Sequence, residues 1–421
     1  MGTMKPLIAT LLALTCSFTT AGEWPQMHGP NRDNMSTETG LLKKLPEGGP
    51  KLIWKYEKCG QGYAMVAIAD KKIFLTGDFD REERVIALDL DGKLLWETAN
   101  GKSWTGAYPG SRTVPTYDNG FLYHMNPTGK LSCLDAKTGK LKWTVDALEK
   151  YKGRYGIWAL SENILVDGDR VFCMPGGPKA TVVAFDKNTG KELWVNGDFN
   201  EVATYTSPIA VTHEGVRQII ALAQKTVIAV NVENGETLWS HPHPTRYNQA
   251  VNSPLYKDGY VFLTSGHEGG GRLLKIKPGG KGVEEVWYNV LFDNCHGDVL
   301  LVGDYLYGSS CRQKKTGFVC AEFLTGKIVQ NDPKFRKTSM TYADGLFYCV
   351  SDQGLLSLVK PKPGGFEIVD THQLPRKNRK LYLAHPVICG GRLYIRHWED
   401  LYVYQLTDLR HNRVDNERTE Q

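Results

Sequence analysis

The chain has 421 residues, of which 41% are hydrophobic and 23% charged, so it can bury a sizeable core. The net charge is +5, and the basic residues are spread along the chain without forming a block. This distribution argues against binding to nucleic acid or to an anionic membrane surface.

The N-terminus has the pattern of a secretory signal peptide. Lys5 precedes an apolar run over residues 6–14 that is too short to span a bilayer. We therefore predict a signal peptide over residues 1–21 and a periplasmic or secreted protein. The alternative is a lipoprotein anchored through Cys16, but Thr15 occupies the position where a lipobox has Gly or Ala. No later segment is apolar enough to predict a transmembrane helix.

Residues 22–50 are predicted to form an N-terminal extension ahead of a repeat that fills most of the chain. Each repeat unit begins with a turn, usually containing Gly, and a short apolar strand. In most units this strand is followed by a second strand, by a turn such as Asp-x-x-Thr-Gly-Lys and by a run that ends in Trp. The opening turn and strand occur eight times, at 69–77, 118–125, 167–174, 213–222, 257–265, 302–310, 343–351 and 390–397. Such a period, with four short strands in each unit, is typical of a β-propeller.

The two ends of the repeat region predict how the ring closes. The last unit has no fourth strand after 401–406, and the lone strand at 51–56 has no unit before it. We therefore predict an all-β, eight-bladed β-propeller of four-stranded antiparallel blades over residues 51–408, closed by the strand at 51–56 as the outer strand of the eighth blade. Residues 409–421 are polar and aperiodic, and they are predicted to be a disordered tail.

Tryptophan recurs in the outer strands of the units. The residues are Trp54, Trp96, Trp143, Trp194, Trp239 and Trp287. Such residues could bind a ligand through their aromatic faces, or they could pack on the neighbouring blade. Because they repeat at the blade spacing, packing is the favoured interpretation.

Eight cysteines follow the predicted signal peptide. An even number in an oxidising compartment permits disulfides. However, Cys133, Cys173, Cys320 and Cys349 lie inside predicted strands, where cysteine is a small buried hydrophobe. We expect most of the cysteines to be free thiols. The sequence has no CxxC, CxxCH or adjacent Cys-Cys pair, which argues against a redox dithiol, an attached c-type haem and a zinc ribbon.

The repeat, as in VVAFDKNTGKELW at 182–194, resembles that of the pyrroloquinoline-quinone (PQQ)-like eight-bladed propellers. These include quinoprotein alcohol dehydrogenases and the propeller lipoprotein of the outer-membrane barrel assembly machinery. The segment WPQMHGPNRDNMSTETGLL at 24–42 is similar to the start of a group of exported bacterial PQQ-binding-like propeller proteins. The resemblance covers nearly the whole mature chain and implies the propeller fold. It also suggests PQQ with Ca²⁺ as a cofactor, but the vicinal disulfide, the calcium-binding acids and the haem site of such dehydrogenases have no counterpart that can be matched in this sequence.

The connections that lead into the inner strands predict a binding site, because in a propeller they collect around one mouth of the central channel. At several of these positions the repeat does not dictate the residue type. We predict a polar and aromatic funnel suited to a sugar, a quinone or a peptide, lined by Tyr63, Arg112, Tyr155, Trp158, Tyr205, Asn252, His296 and His385. The alternative is that such residues only cap the strand ends, which is our interpretation for Ser207-Pro208 and Ser253-Pro254.

The connections at this mouth also contain residues that could form a metal site or a catalytic pair. His296 and His385 could bind a metal ion with Asp298, but two histidines without a third matched ligand are a weak pattern, and we predict no metal site. Glu162 and Asp298 could act as acid and base, but the sequence gives no distance between them. No catalytic residue is therefore assigned.

Two functions fit these expectations. The first is a binding or scaffold protein of the cell envelope, a monomer whose small-molecule, glycan or protein ligand occupies the channel mouth. The alternative is a PQQ- and Ca²⁺-dependent quinoprotein dehydrogenase that oxidises an alcohol or a sugar. A third class, outer-membrane assembly, would require a membrane-bound lipoprotein, which the poor lipobox disfavours.

Overall fold

A computed structural model describes residues 22–246, 250–310, 316–335 and 337–407. The predicted signal peptide and the predicted C-terminal tail lie outside the described residues. Two strands precede the first complete blade: β1 (Met35–Ser36) in the N-terminal extension and β2 (Leu52–Tyr56).

Seven blades follow in chain order, and the eighth is completed by β2. Blade 1 consists of β3 (Ala67–Ala69), β4 (Lys72–Phe79), β5 (Glu82–Asp89) and β6 (Leu94–Lys102). Blade 2 consists of β7 (Thr116–Asp118), β8 (Phe121–Met125), β9 (Lys130–Asp135) and β10 (Leu141–Asp146). Blade 3 consists of β11 (Leu165–Asp167), β12 (Arg170–Cys173), β13 (Val182–Asp186) and β14 (Glu192–Asn196). Blade 4 consists of β15 (Ile209–His213), β16 (Val216–Leu222), β17 (Thr226–Asn231) and β18 (Thr237–Pro242).

The second half of the ring repeats this arrangement. Blade 5 consists of β19 (Leu255–Lys257), β20 (Tyr260–Ser265), β21 (Gly270–Ile276) and β22 (Val283–Asn289). Blade 6 consists of β23 (Leu300–Val302), β24 (Tyr305–Ser309), β25 (Phe318–Glu322) and β26 (Ile328–Asp332). Blade 7 consists of β27 (Thr338–Ala343), β28 (Leu346–Ser351), β29 (Leu355–Lys362) and β30 (Gly365–Gln373). Blade 8 consists of β31 (Val387–Cys389), β32 (Arg392–His397), β33 (Asp400–Gln405) and β2. Helix occurs at α1 (Ala147–Tyr151) and in a 3₁₀ turn at Pro278–Gly280.

The predicted fold class and the predicted ring closure are both confirmed. Strand β2 pairs antiparallel with β33, with Trp54 opposite Val403. This pairing joins the two ends of the repeat region and leaves blade 8 with four strands like its neighbours. Within the described residues, no helix is long and apolar enough to cross a membrane.

The outer-strand tryptophans lock neighbouring blades together, as predicted. Five of the six donate their indole N–H to a carbonyl in a turn of the next blade, at Leu90, Ala136, Lys187, Val232 and Phe323. Trp239 instead donates to Gln218 in its own blade, because the corresponding turn of blade 5 is extended by the 3₁₀ segment. A β-bulge shifts the register between the third and outer strands of every blade, which increases the local twist of the outer strand.

The cysteines of the strands are free and buried, as the sequence predicted. Cys133, Cys173, Cys320 and Cys349 belong to this group. Two further cysteines, Cys59 and Cys389, are also free and buried. Cys295 forms a disulfide, so the described cysteines include both free thiols and a disulfide-bonded residue.

The N-terminal extension crosses the central channel, a path that the sequence did not reveal. Trp24 is buried and pairs with Ile68 of blade 1 through backbone hydrogen bonds of 2.8 and 2.7 Å. Further along, β1 pairs in parallel with β27, the inner strand of blade 7. Between these two points, Arg32 donates to backbone carbonyls near the inner strands of blades 3 and 4. The extension therefore contacts blades on opposite sides of the ring.

Candidate functional site

All eight blade-to-blade connections contribute to one cavity at the channel mouth, with a volume of about 360 Å³. Seven of the eight predicted residues line it: Tyr63, Arg112, Trp158, Tyr205, Asn252, His296 and His385. The eighth, Tyr155, is not part of this lining, and its ring contacts Trp104 edge-on with centroids 6.0 Å apart. The polar and aromatic character of the predicted funnel is therefore present in the structure, while ligand binding by these residues stays a prediction.

Arg112 brings a partly buried positive charge to the cavity wall. Its Nη2 atom donates to the carbonyl oxygens of Ala107 and Tyr108 in its own connection. Burial lowers the pKa of Arg112, although the Asp78 carboxyl opposes this. Nη1 is buried and has no hydrogen-bond partner among the described residues. A donor of this kind is costly to leave unpaired, and an acceptor on a ligand would satisfy it.

Asn252 brings the complementary group, a buried acceptor. The residue is only 3% exposed, and its Nδ2 atom donates to the carbonyl oxygen of Asn294 over 3.0 Å. Its Oδ1 atom has no partner in the described part of the chain. The cavity wall therefore carries both an unpaired buried donor and an unpaired buried acceptor, and a ligand with both kinds of group would pair with them.

Aromatic rings form another part of the wall. Trp158 and Tyr205 pack edge to face with ring centroids 5.5 Å apart, and the backbone N–H of Trp158 donates to the Tyr205 hydroxyl over 3.3 Å. Tyr63 packs against Trp398 at 5.2 Å. Burial raises the pKa of both Tyr63 and Tyr205. These rings are held as neutral phenols next to apolar faces.

His296 lies where the connection from blade 5 enters blade 6. Burial lowers its pKa to about 4, although the nearby Asp352 carboxylate acts in the opposite direction. Asp352 is itself paired with Lys337, whose Nζ lies 3.4 Å from Oδ2. At neutral pH, His296 therefore presents a neutral imidazole to the cavity.

The floor of the cavity is built from the extension and from Asp298. Met27 of the extension lines the cavity directly, and Asn34 donates from Nδ2 to Asp298 Oδ2 over 2.5 Å. The same carboxylate oxygen lies 2.5 Å from His28 Nε2 and 3.1 Å from His385 Nδ1. A second cavity lies on the other side of this floor, and Asp298 lines both.

Opposing effects set the charges in this cluster. Burial raises the pKa of Asp298, but the imidazoles of His28 and His385 outweigh it and hold the pKa well below its ordinary value. Burial lowers the pKa of His28 in spite of the Asp298 carboxylate. The cluster therefore combines an ionised carboxylate with a neutral His28 imidazole at neutral pH.

Sequence reasoning missed the part of the site that comes from the extension. Met27, His28 and Asn34 belong to the segment that the sequence places outside the propeller, although His28 and Asn34 are buried in the structure. Lys337 and Asp352 were also missed. The available signal was composition, because the run from residue 24 to 34 includes Trp, Met and His, an unusual content for a solvated linker.

The donor atoms of the cavity do not fit a quinone bound with Ca²⁺. Calcium takes six to eight oxygen ligands, whereas the carboxylates that line the cavity are Asp298 and Asp352. Asp298 is surrounded by imidazole nitrogens and Asp352 is paired with Lys337. The described residues around the cavity therefore offer no oxygen-rich calcium site.

Comparison with known proteins agrees with the fold. A family model described as outer membrane protein assembly factor BamB matches residues 51–332. The protein of that name from Nitrosomonas eutropha is 28% identical over 205 residues, covering 48% of this chain and 42% of the relative. Tetrathionate hydrolase from Acidithiobacillus ferrooxidans is 21% identical over 272 residues, covering 61% of this chain and 52% of the relative. The chain thus spans about half the length of these two relatives.

A solved structure extends the comparison to a dehydrogenase. A europium-containing methanol dehydrogenase superposes with a TM-score of 0.65 and 13% identity, covering 89% of each chain. At this identity the similarity concerns the fold alone. The family match, in contrast, covers more than half of the chain. The chain therefore belongs to the PQQ-like propeller family that is described as outer membrane protein assembly factor BamB.

Proposed function

We propose that this protein is a ligand-binding propeller of the cell envelope, whose ligand occupies the funnel at the channel mouth. The observation that supports the proposal is the pair of unpaired buried polar atoms in the funnel wall, Arg112 Nη1 and Asn252 Oδ1. Each unpaired buried group costs about 1–3 kcal/mol, and a ligand that pairs with it recovers that free energy on binding. The binding free energy would thus come from groups that the folded chain leaves unsatisfied.

The shape and chemistry of the funnel favour a glycan unit over the other ligand classes. A volume of about 360 Å³ suits a small ligand or one end of a larger one. A sugar ring offers hydroxyl groups that both donate and accept, which matches the free Arg112 donor and the free Asn252 acceptor. Its apolar face would pack on Trp158. A peptide segment remains the second ligand class, since the same groups bind backbone amides.

The envelope location is also part of the proposal. It is supported by the signal-peptide pattern of residues 1–21 and by the name of the Nitrosomonas relative, which describes an outer membrane protein assembly factor. Because the chain spans about half of that relative, a scaffold role in outer-membrane assembly is carried over here only as a proposal. A scaffold would use the funnel to bind a protein segment.

A quinoprotein dehydrogenase is the second candidate, because the methanol dehydrogenase has the same propeller fold. The funnel carboxylates do not provide a calcium site, as shown above, so we derive no catalytic step through PQQ. Adding PQQ and Ca²⁺ to the purified chain and recording quinone absorbance and dye reduction with alcohols and sugars tests this candidate. Dye reduction that depends on PQQ would favour the dehydrogenase over the binding protein.

The experiment for the binding proposal is a calorimetric screen of the full chain against envelope glycans and short peptides. We expect at least one ligand whose affinity falls by about tenfold or more in Arg112→Ala and in His296→Ala, the loss of one well-placed hydrogen bond. Tyr155→Ala is the matched control, because Tyr155 lies near the same mouth but outside the lining. If every ligand that binds the wild type binds both funnel variants equally well, the funnel is not the binding site.

A further inference from the structure

We propose that His28, Asp298 and His385 form a binding site for a first-row transition-metal ion, of the class that includes Zn²⁺, in the floor of the funnel. The site goes beyond the ligand-binding function, and it also departs from the sequence-based expectation of no metal. Two of its residues come from the ring, and His28 comes from the extension.

The three side chains converge on one point. The ligand-type atoms of His28, Asp298 and His385 all lie within 4.8 Å of one another, and the two imidazole rings are 4.9 Å apart between centroids. Bonds of about 2.0–2.2 Å from zinc to nitrogen and oxygen place ligand atoms roughly 3–3.5 Å apart. His385 already has this separation from Asp298 Oδ2, and His28 Nε2 must retreat from the same oxygen by less than about 1 Å.

A buried polar atom of the cluster lacks a partner. Asn34 Oδ1 is buried and has no hydrogen-bond partner among the described residues. A 180° rotation of the Asn34 amide would exchange its oxygen and nitrogen and present the oxygen to the cluster as a fourth donor. His28 Nε2 lies 2.5 Å from Asp298 Oδ2, and a bound ion would replace this direct contact with a bond to each residue.

The donor set selects the class of ion. Two imidazoles and one carboxylate suit Zn²⁺, Fe²⁺, Co²⁺, Ni²⁺ or Cu²⁺, whereas Ca²⁺ and Mg²⁺ prefer sites made of oxygen. His28 is 3% exposed and Asp298 is 8% exposed, so the ligands are shielded from competing water. This preference separates the proposed site from the calcium site of a quinoprotein.

The position of the cluster implies two consequences of metal binding. Because His28 and Asn34 belong to the extension while Asp298 and His385 belong to the ring, a bound ion would fasten the extension to the ring. Asp298 and His385 also line the funnel, so the ion would be reachable from the ligand side. Metal binding should therefore raise the thermal stability of the chain in the absence of any funnel ligand.

Metal titration of the full chain without a polyhistidine tag tests the proposal. After treatment with a chelator, Zn²⁺ and Co²⁺ are added separately, and the bound ion is measured by elemental analysis and by the visible absorption of Co²⁺. We expect about one ion per chain, a Tm that rises with Zn²⁺ but not with Ca²⁺, and an affinity reduced by about 100-fold or more in His28→Ala and His385→Ala. The surface variant His241→Ala is the matched control and should bind as the wild type does.

The outcomes separate this proposal from its alternatives and from the function proposed above. His28 lies in the extension, so His28→Ala should leave the ring folded, and a circular dichroism spectrum verifies this before the titration. Equal Zn²⁺ affinity in wild type and His28→Ala would overturn the proposal, as would a wild type that binds Ca²⁺ as tightly as Zn²⁺ or binds no Zn²⁺ at all. Since no funnel ligand is present in the titration, failure of the metal site would leave the ligand screen unaffected.

Discussion

Trp143 of blade 2 lies directly against Gly190 in the turn of blade 3. A Cβ atom added at Gly190 would lie 2.7 Å from Cε3 of Trp143, and the indole N–H of the same tryptophan donates to the carbonyl oxygen of Lys187 over 2.9 Å. The relationship recurs around the ring, with a turn glycine facing the tryptophan of the preceding blade at Gly92, Gly139, Gly190, Gly235 and Gly326. The glycine of the repeat therefore serves two purposes, a positive φ and the room for an indole ring.

The first prediction separates these two purposes with a pair of variants in one blade. Gly190 has φ +69° and faces Trp143, whereas Gly168 has φ +58° and nothing within 4 Å of an added Cβ. Gly168→Ala should cost about 1–2 kcal/mol of unfolding free energy, since it carries only the left-handed backbone penalty. Gly190→Ala should cost about 1–3 kcal/mol more, because it also overpacks the indole. Urea unfolding measures both, and equal losses would show that the blade contact contributes nothing.

The repeat explains why the fold could be predicted and the floor of the funnel could not. The opening turn and strand occur in all eight units and the outer-strand tryptophan occurs in six blades, so the copies support one another. Asp186 shows the chemistry of the turn, since its Oδ1 accepts from the backbone of Asn188 and Thr189 and from the Thr189 hydroxyl. The extension occurs once, and its contacts join residues such as Asn34 and Asp298 that are far apart in the chain. No periodicity marks a contact of that kind.

The funnel wall could be predicted in part from the sequence. Its residues could be predicted because the connections occur at the blade spacing, which places one of them per blade at the same mouth. Tyr155 shows the limit of that argument. It lies in the correct connection, but its backbone pairs in parallel with Ala203 and its ring contacts Trp104. Which way a side chain in a connection turns depends on local packing that the repeat does not encode.

The second prediction concerns Arg32, which holds the extension in the channel. Its guanidinium donates to the carbonyl oxygens of Ile164 and Pro208, and burial lowers its pKa to about 10, so it stays charged at neutral pH. Arg32→Ala should lower the unfolding free energy by about 2–4 kcal/mol, because buried carbonyls lose a charged donor. Chemical denaturation tests this, with the exposed Arg379→Ala as control.

If Arg32→Ala and Arg379→Ala are equally stable, the extension is not anchored through the guanidinium. A further readout is limited proteolysis at the N-terminus. The Arg32→Ala variant should be cleaved within the extension faster than the wild type, because release of this anchor exposes backbone that is otherwise enclosed by the ring. An unchanged cleavage rate would show that Arg32 does not hold the extension in the channel.

The third prediction is a pH dependence caused by Glu162. Burial raises the pKa of its carboxyl group from 4.5 to about 8, although the Met174 N–H and Arg32 act in the opposite direction. Because the pKa is higher in the folded state, the stabilisation from the protonated form is complete below about pH 4.5 and is lost as the pH rises through 8. Glu162→Gln should remove this loss, which is on the order of a few kcal/mol.

Unfolding free energies of both proteins between pH 4 and pH 9 check this sign. The amide oxygen of glutamine can still accept from the Met174 N–H, so the variant should match the wild type at pH 4 and exceed its stability at pH 9. The exposed Glu47→Gln is the control and should show the wild-type pH profile. A stability difference that is constant across the range would mean that Glu162 titrates normally in the folded protein.

The fourth prediction uses Asn252 to distinguish a binding group from a structural one. Asn252→Leu removes one hydrogen bond, from Nδ2 to the carbonyl oxygen of Asn294, but it also removes the unpaired buried Oδ1. These two effects are similar in size and opposite in sign, so the unfolding free energy should change by less than about 1 kcal/mol. Affinity for the funnel ligand should nevertheless fall by about tenfold, since the acceptor that the ligand would use is gone.

Asn126 provides the matched control for this variant, because it is equally buried but fully bonded. Its Nδ2 atom donates to Asn100, and its Oδ1 atom accepts from the backbone of Thr128 and Lys130. Asn126→Leu should therefore cost about 2–4 kcal/mol of unfolding free energy and leave ligand affinity unchanged in the fraction that is folded. A large stability loss in Asn252→Leu would instead assign that residue to the architecture of the ring. In that case the unpaired Oδ1 atom would not indicate a ligand-binding group, and the binding proposal would lose its main support.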